Sequence, residues 1–166
     1  MGGKRLYIVR HGKSSWAEDG LDDRDRPLKK LGILRNIEVS NAIIKHGIPD
    51  MIISSMAVRA LHTAVIMARE MKYPVNKIQI EEKLYYAEME ECLRIIKALD
   101  NAIHSLMMVG HNPIFTDMAN EFLHKQIIDM PTSGCVLLDF DVTEWKDISR
   151  AAVVVEKCIF ATKTED

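Results

Sequence analysis

The sequence predicts an α/β fold, a three-layer αβα sandwich in which helices cover both faces of a mainly parallel sheet. Two observations lead to this prediction. Short apolar runs alternate with longer segments of helical periodicity, which is the order that βαβ units produce. Three of the runs, at residues 6–9, 51–54 and 106–109, are almost entirely apolar, as expected for buried strands.

The connection between the first two runs is predicted to contain one helix. Pro27 opens it, because proline is favoured at the first helical position, and Gly47 and Pro49 end it. The polar residues 13–26 before it are expected to form a solvated loop. Its buried face is predicted from residues at helical spacing: Ile33, Ile37, Ser40 and Ile44.

The rest of the chain continues the alternation. The last two predicted strands are expected to add an antiparallel pair, and the segment between them, which contains Trp145, is expected to be exposed. The predicted elements are a helix at 57–71, an edge strand at 77–81, an irregular loop at 84–88, a helix at 90–103, the strand at 106–109, a helix that includes Ile114 to Phe122, and strands at 135–140 and 151–160.

Composition limits the classes of function. The 166 residues predict one domain over residues 1–162 with a short tail at 163–166. The formal net charge of −2 gives no overall attraction to nucleic acid or to an anionic membrane. No apolar stretch approaches the roughly 20 residues of a membrane span, and the first residues lack the apolar core of a signal peptide. Three scattered cysteines suit a reducing compartment, so a cytoplasmic location is expected.

Charged residues follow the three buried runs. The first run leads into Arg10 and His11, and the third leads, through a glycine, into His111. The second run is followed, one helical turn further on, by Arg59. Because the carboxyl ends of parallel strands meet at one edge of a sheet, where open α/β folds bind ligands, we expect two arginines and two histidines to converge there.

Such a cluster suits phosphoryl chemistry. An arginine offers a fork of donors that matches phosphate oxygens, and a neutral histidine offers a nucleophilic nitrogen. A transferred phosphoryl group spreads negative charge over three equatorial oxygens, so fixed positive charges around it stabilise the transition state. For the first histidine taken alone, the alternative is an ordinary residue at a strand end whose nitrogens are satisfied by hydrogen bonds.

The motifs resemble those of the histidine phosphatase superfamily. They are Arg10-His11-Gly12 near the N-terminus, Arg59 in the pattern Ser55-x-x-x-Arg59-Ala60-x-x-Thr63, and the strand-terminal Gly110-His111. The segment Arg26-Pro27-Leu28-x-x-x-Gly32 is similar to the small SixA-type phosphohistidine phosphatase branch. The resemblance implies a phosphoglycerate mutase-like fold, His11 as a nucleophile that passes through a phosphohistidine, and a phosphate pocket formed by Arg10, Arg59 and His111.

The two histidines need different protonation states in this scheme. His11 must be neutral at its attacking nitrogen, so its other nitrogen is expected to donate a hydrogen bond to a backbone carbonyl. His111 must be protonated to act fully as a cation, and a nearby phosphate charge favours that form.

Other polar residues near these motifs are candidate substrate contacts. The hydroxyls of Ser14 and Ser15 follow the nucleophile closely. Arg26 attracts a phosphorylated partner, holds the loop by an ion pair, or is an ordinary surface charge. The resemblance adds Thr132 and Ser133. No cofactor is predicted, and a metal site is not favoured, because no carboxylate or thiolate has a matching ligand spacing.

One departure from the resemblance concerns the leaving group. Mutases and many larger phosphatases of the superfamily carry an acidic proton donor after the edge strand, where this chain has Tyr85 and Tyr86. Glu88, two residues later, is the possible acid. The chain also lacks the long insertions that cover small substrates in those relatives. We therefore expect a metal-independent phosphatase of protein phosphohistidine. The alternatives are a phosphatase of small phosphomonoesters, such as nucleotides or sugar phosphates, and a non-catalytic phospholigand-binding protein.

Overall fold

A six-stranded sheet forms the centre of the computed structural model, which describes residues 2–162. The strand order is β3-β2-β4-β1-β5-β6; the first four strands are parallel, and β5 runs antiparallel to both of its neighbours. This arrangement confirms the predicted class, including the antiparallel pair at the end of the chain. The strands are β1 (Lys4–Arg10), β2 (Met51–Ser54), β3 (Gln79–Ile80), β4 (Ser105–Gly110), β5 (Cys135–Phe140) and β6 (Val153–Ile159).

Helices cover both faces of the sheet. Along β1, Leu6 and Ile8 point into one apolar cluster and Tyr7 and Val9 into the other, because successive side chains of a strand alternate between faces. The cluster of Tyr7 and Val9 is closed by α1 and α2, and the opposite cluster is closed by α4 and α5. The helices are α1 (Lys30–Ile44), α2 (Val58–Glu70), α3 (Lys83–Tyr86), α4 (Met89–Lys97) and α5 (Ile114–Phe122).

Helix α1 begins later than the sequence predicts. Its first residue is Lys30, so the prediction that Pro27 opens the helix is wrong. Leu28 forms an isolated antiparallel bridge with Ser14, and this pairing keeps the chain extended past the proline. The loop after β1 is therefore tied to the segment that leads into α1.

The buried face of α1 also differs from the prediction. Ile44, predicted to be inside, is 39% exposed. Gly32 sets the face, because a Cβ at this position would lie 2.5 Å from the backbone oxygen of Lys13. Only a residue without a side chain lets the helix approach the loop after β1 so closely. The buried residues of the helix are Gly32, Asn36, Val39, Ser40 and Ile43.

Three further predictions are corrected in the second half of the chain. The segment 84–88, expected to be irregular, contains most of the short helix α3, and α4 ends at Lys97 instead of continuing to residue 103. Trp145, expected to be exposed, is fully buried. Its indole Nε1 donates to the carbonyl oxygen of Ile103 at 2.8 Å, and the Lys4 ammonium lies 5.6 Å from the centre of its ring.

The predictions on domain boundaries and on membrane spans are only partly covered by the described residues. The predicted tail at 163–166 lies outside the described residues, and a single domain over residues 1–162 stays a prediction. Between residues 2 and 162, no helix combines the length and the apolar character needed to cross a membrane.

Candidate active site

The predicted functional residues meet because three of their strands are neighbours. β1 and β4 pair in parallel register up to Arg10 beside Gly110, and β2 pairs with the other edge of β4. The backbone N–H of His11 donates to the oxygen of Gly110 at 3.0 Å, which extends the pairing into the loop. The ring centres of His11 and His111 are 5.1 Å apart. Convergence at the carboxyl edge of the sheet is therefore present in the structure.

His11 is held as a neutral imidazole whose Nε2 lone pair faces Arg59. Its Nδ1 lies 2.7 Å from the carbonyl oxygen of Gly12, so we assign the ring proton to Nδ1 and the lone pair to Nε2. Burial, and then the positive fields of His111, Arg59 and Arg10, lower the pKa of His11 to about 3, against an opposing contribution from the Gly12 hydrogen bond. The imidazole consequently remains unprotonated at neutral pH.

Arg59 lies in the first turn of α2 and points its guanidinium at His11. The distance from Arg59 Nε to His11 Nε2 is 3.4 Å. Thr63, one turn later, accepts from the backbone N–H of Gly12 at 2.9 Å and donates to the backbone oxygen of Arg59 at 2.7 Å. The start of α2 and the loop after β1 are thus joined by a buried hydroxyl.

His111 and Arg10 each have a buried nitrogen that no residue between 2 and 162 satisfies: Nδ1 in the histidine and Nε in the arginine. The other ring nitrogen of His111 lies 2.7 Å from Ser55 Oγ. Burial, followed by the field of Arg59, lowers the pKa of His111 to about 4. Arg10 donates from Nη1 to the oxygen of Met130 at 2.7 Å, and burial lowers its pKa. Buried polar atoms without partners are rare in folded proteins, and two of the three such side-chain nitrogens among residues 2–162 lie here; the third is Arg35 Nε, on α1.

Asp23 is the site residue that the sequence reasoning missed, because it was grouped with the solvated charges of the loop. Its carboxylate accepts from Arg59 Nη2 at 2.9 Å, from Arg26 Nε at 3.0 Å and from the Tyr85 hydroxyl at 2.5 Å. Partial burial opposes its ionisation, but the hydrogen bonds from Tyr85, Arg59 and Arg26 hold the pKa of Asp23 well below its usual range. The available signal was the spacing of Asp23 and Arg26, three residues apart in one turn.

The structure places Arg26 in the loop rather than at the histidines. Besides Asp23 it binds Ser14, donating from Nη1 to Oγ at 2.8 Å, and its guanidinium lies 3.4 Å from the ring centre of Trp16. These contacts support the ion-pair alternative for Arg26. Ser15 Oγ accepts from the backbone N–H of Ala17 at 3.0 Å.

Of the two candidates in the turn before β5, Ser133 is hydrogen-bonded to the backbone of His11. The backbone N–H of Ser133 donates to the oxygen of His11 at 3.1 Å, and its hydroxyl donates to Asn36 Oδ1 at 2.6 Å. Ser133 is fully buried and has a φ of 64°, a conformation in the left-handed region. Thr132, beside it, is half-buried.

Glu88, the possible acid, is exposed, and its backbone starts α4. It lines an open cavity of about 920 Å³ together with Arg24, Met56 and Tyr86, among other residues. No hydrogen bond in the described part of the chain joins its carboxylate to the histidines or arginines of the cluster. His62 is exposed on α2, and no set of three His, Cys, Asp or Glu residues between 2 and 162 is grouped to hold a metal ion.

Comparison with protein families matches residues 6–92 to the histidine phosphatase superfamily, branch 1. The match covers more than half of the 166 residues, so the chain belongs to this superfamily. The family and its structural neighbours support phosphatase chemistry at the site.

Individual proteins extend the similarity over most of the chain. A structure from Agrobacterium tumefaciens, provisionally named phosphohistidine phosphatase SixA, is 30% identical, with a TM-score of 0.74 over 83% of this chain and 92% of that one. A second structure with the same provisional name, from Nakamurella multipartitia, has a TM-score of 0.80 over 98% of this chain and 99% of that one; at 17% identity it shows the fold alone. An uncharacterized chloroplastic protein of Arabidopsis thaliana is 29% identical over 87% of this chain and 70% of its own.

Proposed function

We propose that the protein removes phosphoryl groups from protein phosphohistidine, using His11 as the nucleophile and needing no metal ion. The observation that carries the proposal is the unprotonated Nε2 of His11, which faces Arg59 Nε at 3.4 Å and is surrounded by cationic and unsatisfied donors. The similarity to a structure named for phosphohistidine hydrolysis supports the substrate class.

The reaction follows in two displacements. In the first, the lone pair of His11 Nε2 attacks phosphorus, and the bond from phosphorus to the leaving nitrogen breaks, with its electron pair going to the leaving imidazole, which carries or gains a proton. In the second, water attacks phosphorus and gives up a proton to a phosphate oxygen or to bulk water, while the P–Nε2 bond breaks and its electron pair returns to His11. The hydrogen bond from Nδ1 to Gly12 fixes the ring during both steps.

Three side chains stabilise the transferred group. Arg59 Nε exchanges its 3.4 Å contact with His11 for a phosphoryl oxygen, and the unsatisfied Arg10 Nε and His111 Nδ1 take the others. His111 is neutral without ligand, since its pKa is about 4, and a dianionic phosphoryl group raises that pKa toward the imidazolium. We assign the neutral form a proton on Nδ1 and an Nε2 that accepts from the Ser55 hydroxyl, so Nδ1–H is available to a phosphoryl oxygen in either protonation state. Direct contacts from Ser14, Ser15, Arg26, Thr132 and Ser133 to substrate stay predictions.

Among residues 2–162, none of the nearby carboxyl or phenol groups is suited to protonate a leaving oxygen, which favours phosphohistidine over phosphate esters. Asp23 is ionised at neutral pH and has no proton to release. The pKa of Tyr85 is raised by burial and by the hydrogen bond that Tyr85 donates to Asp23, so Tyr85 does not release its proton readily. Glu88 is exposed on the rim of the neighbouring cavity. An imidazole leaving group is a weak base that can be protonated beforehand, whereas an alkoxide needs a proton in the transition state.

Arginine, rather than a metal ion, is expected to supply the charge for transfer. Arg59→Ala should lower kcat/KM on the order of 10²-fold or more, as the loss of one transition-state donor does. Activity should stay within about twofold in EDTA. The guanidinium groups already supply the positive charge that a metal ion supplies in other phosphoryl-transfer enzymes. The matched control is Arg69→Ala, an exposed arginine on the same helix, which should leave the rate unchanged. An enzyme that EDTA silences and added metal restores would contradict this mechanism.

The substrate class is tested by measuring phosphate release from four substrates. These are a histidine-phosphorylated protein, an aryl phosphate, a serine-phosphorylated protein and a sugar phosphate. We expect the first two to be hydrolysed and the last two to be at least about 10²-fold slower, which is the lower range of what a positioned acid contributes. Fast hydrolysis of the sugar phosphate would favour the small-substrate alternative. Binding of phosphohistidine without any release would favour the phospholigand-binding alternative.

A further inference from the structure

We propose that Asp23 is a positioning residue that aims Arg59 at the phosphoryl group. The backbone oxygen of Asp23 accepts from Arg59 Nη1 at 2.6 Å, and its carboxylate accepts from Nη2 at 2.9 Å. One residue therefore binds both terminal nitrogens of the guanidinium. The inference rests on the proposed function, in which the third nitrogen, Nε, binds a phosphoryl oxygen beside His11.

Because of the geometry of the guanidinium, these two hydrogen bonds also orient the Nε–H bond of Arg59. The group is planar and rigid, so holding Nη1 and Nη2 also fixes the direction of Nε–H. That direction leads to His11 Nε2, 3.4 Å away. Asp23 thus binds Nη1 and Nη2 and leaves Nε, the nitrogen directed at the nucleophile, available to the phosphoryl group. A carboxylate that competed with the phosphoryl group would instead bind the Nε edge.

Asp23 is itself anchored from two sides of the site. The Tyr85 hydroxyl, from α3, donates to Asp23 Oδ2 at 2.5 Å, and Arg26 donates to Oδ1 at 3.0 Å. Arg26 is in turn packed against Trp16 and hydrogen-bonded to Ser14 in the loop after β1. Both oxygens of the carboxylate consequently accept from fixed donors, although its side chain is 45% exposed.

The charge of Asp23 agrees with positioning and not with proton donation. Three hydrogen-bond donors stabilise its ionised form, so it carries no proton to give to a leaving group at neutral pH. Arg59 is 6% exposed, and a buried guanidinium without a partner is costly; the carboxylate offsets that cost before substrate arrives. The phosphoryl group then meets a guanidinium that is already oriented, which lowers the reorganisation needed in the transition state.

The test is a double-mutant cycle on turnover of an aryl phosphate and of chemically phosphorylated polyhistidine. Asp23→Ala should lower kcat by about 10- to 100-fold, a cost typical of a misplaced reacting group, and change KM by less than about threefold, because the freed Arg59 still attracts phosphate. In an Arg59→Ala background, Asp23→Ala should change kcat by less than about twofold, since the residue it acts through is gone. The inhibition constant for orthovanadate, a mimic of the five-coordinate phosphoryl group, should rise in parallel with the loss of kcat.

Two further variants complete the design. Asp25→Ala removes an exposed carboxylate from the same turn and should leave kcat unchanged. Tyr85→Phe keeps the ring that lies 5.5 Å from His111 but removes the hydroxyl that anchors Asp23. It should lower kcat in the same direction as Asp23→Ala, by a smaller factor, and it carries the cycle with Arg59→Ala if Asp23→Ala does not fold.

Three results would overturn the inference. One is equal, additive losses from Asp23→Ala in the wild-type and Arg59→Ala backgrounds, which would indicate a role independent of Arg59. Another is tighter vanadate binding in Asp23→Ala, which would make the carboxylate a competitor of phosphate. The third is an unchanged kcat in both Asp23→Ala and Tyr85→Phe. If Arg59→Ala itself does not lower activity, the proposed function fails first, and the two failures are therefore distinguishable.

Discussion

Replacing His11 by alanine is expected to lower kcat by at least about 10⁴-fold, because loss of a catalytic nucleophile typically costs this much or more. The fold should survive. The backbone of His11 keeps its bonds to Gly110 and Ser133, and these do not depend on the imidazole. The measurement is phosphate release from a phosphohistidine protein, with thermal unfolding of both proteins recorded in the same buffer.

The matched control is His62→Ala, which removes an exposed histidine from α2. It should retain the wild-type rate. Substantial turnover by a folded His11→Ala protein would remove His11 from the mechanism, whatever the effect of the control. Since burial and the neighbouring positive charges lower the pKa of His11 to about 3, protonation of this residue should begin to reduce kcat/KM only in strongly acidic solution.

The second large effect is expected in the dependence on the leaving group. Among aryl phosphates, kcat/KM should rise steeply as the pKa of the leaving phenol falls, because none of Asp23, Tyr85 and Glu88 is suited to protonate a basic leaving oxygen. Phosphoserine and sugar phosphates should be slower by about 10²- to 10⁴-fold, the usual contribution of a positioned general acid. Glu88→Gln should leave the rate with phosphohistidine nearly unchanged, since the Glu88 carboxylate is exposed.

Glu90→Gln serves as the control for that variant, because Glu90 is also exposed and lines the same cavity. The informative comparison is the slope of kcat/KM against leaving-group pKa in wild type and in Glu88→Gln. A shallow slope in wild type that steepens only in Glu88→Gln would identify Glu88 as the general acid. The protein would then be a general phosphomonoesterase.

The central strands and their ends could be predicted from the sequence because local pattern determines them. An apolar run followed directly by Arg10 and His11 describes a buried strand and the start of a loop, whatever the rest of the chain does. Parallel pairing then brings the ends of β1, β2 and β4 to one edge of the sheet. The convergence of the site residues could therefore be predicted without knowing the conformation of any loop.

The misses share a different cause, which is contact between residues distant in sequence. Pro27 is a good helix opener locally, but the bridge between Ser14 and Leu28 keeps the chain extended there. Trp145 packs into an apolar cluster of residues distant in sequence, and its buried N–H is satisfied by Ile103, more than 40 residues away. Asp23 contacts Arg59 and Tyr85 across 36 and 62 residues, and no periodicity marks such a pair.

The measurement that tests the account most directly is capture of the phosphorylated enzyme. Protein is mixed briefly with a ³²P-labelled phosphohistidine substrate, quenched in alkali, in which phosphoramidates are more stable than in acid, and digested to locate the label. We predict acid-labile label on the peptide that contains His11, and none in His11→Ala. Label on Ser14, Ser15 or any other residue, or wild-type turnover without label at any quench time, would contradict phosphoryl transfer through His11.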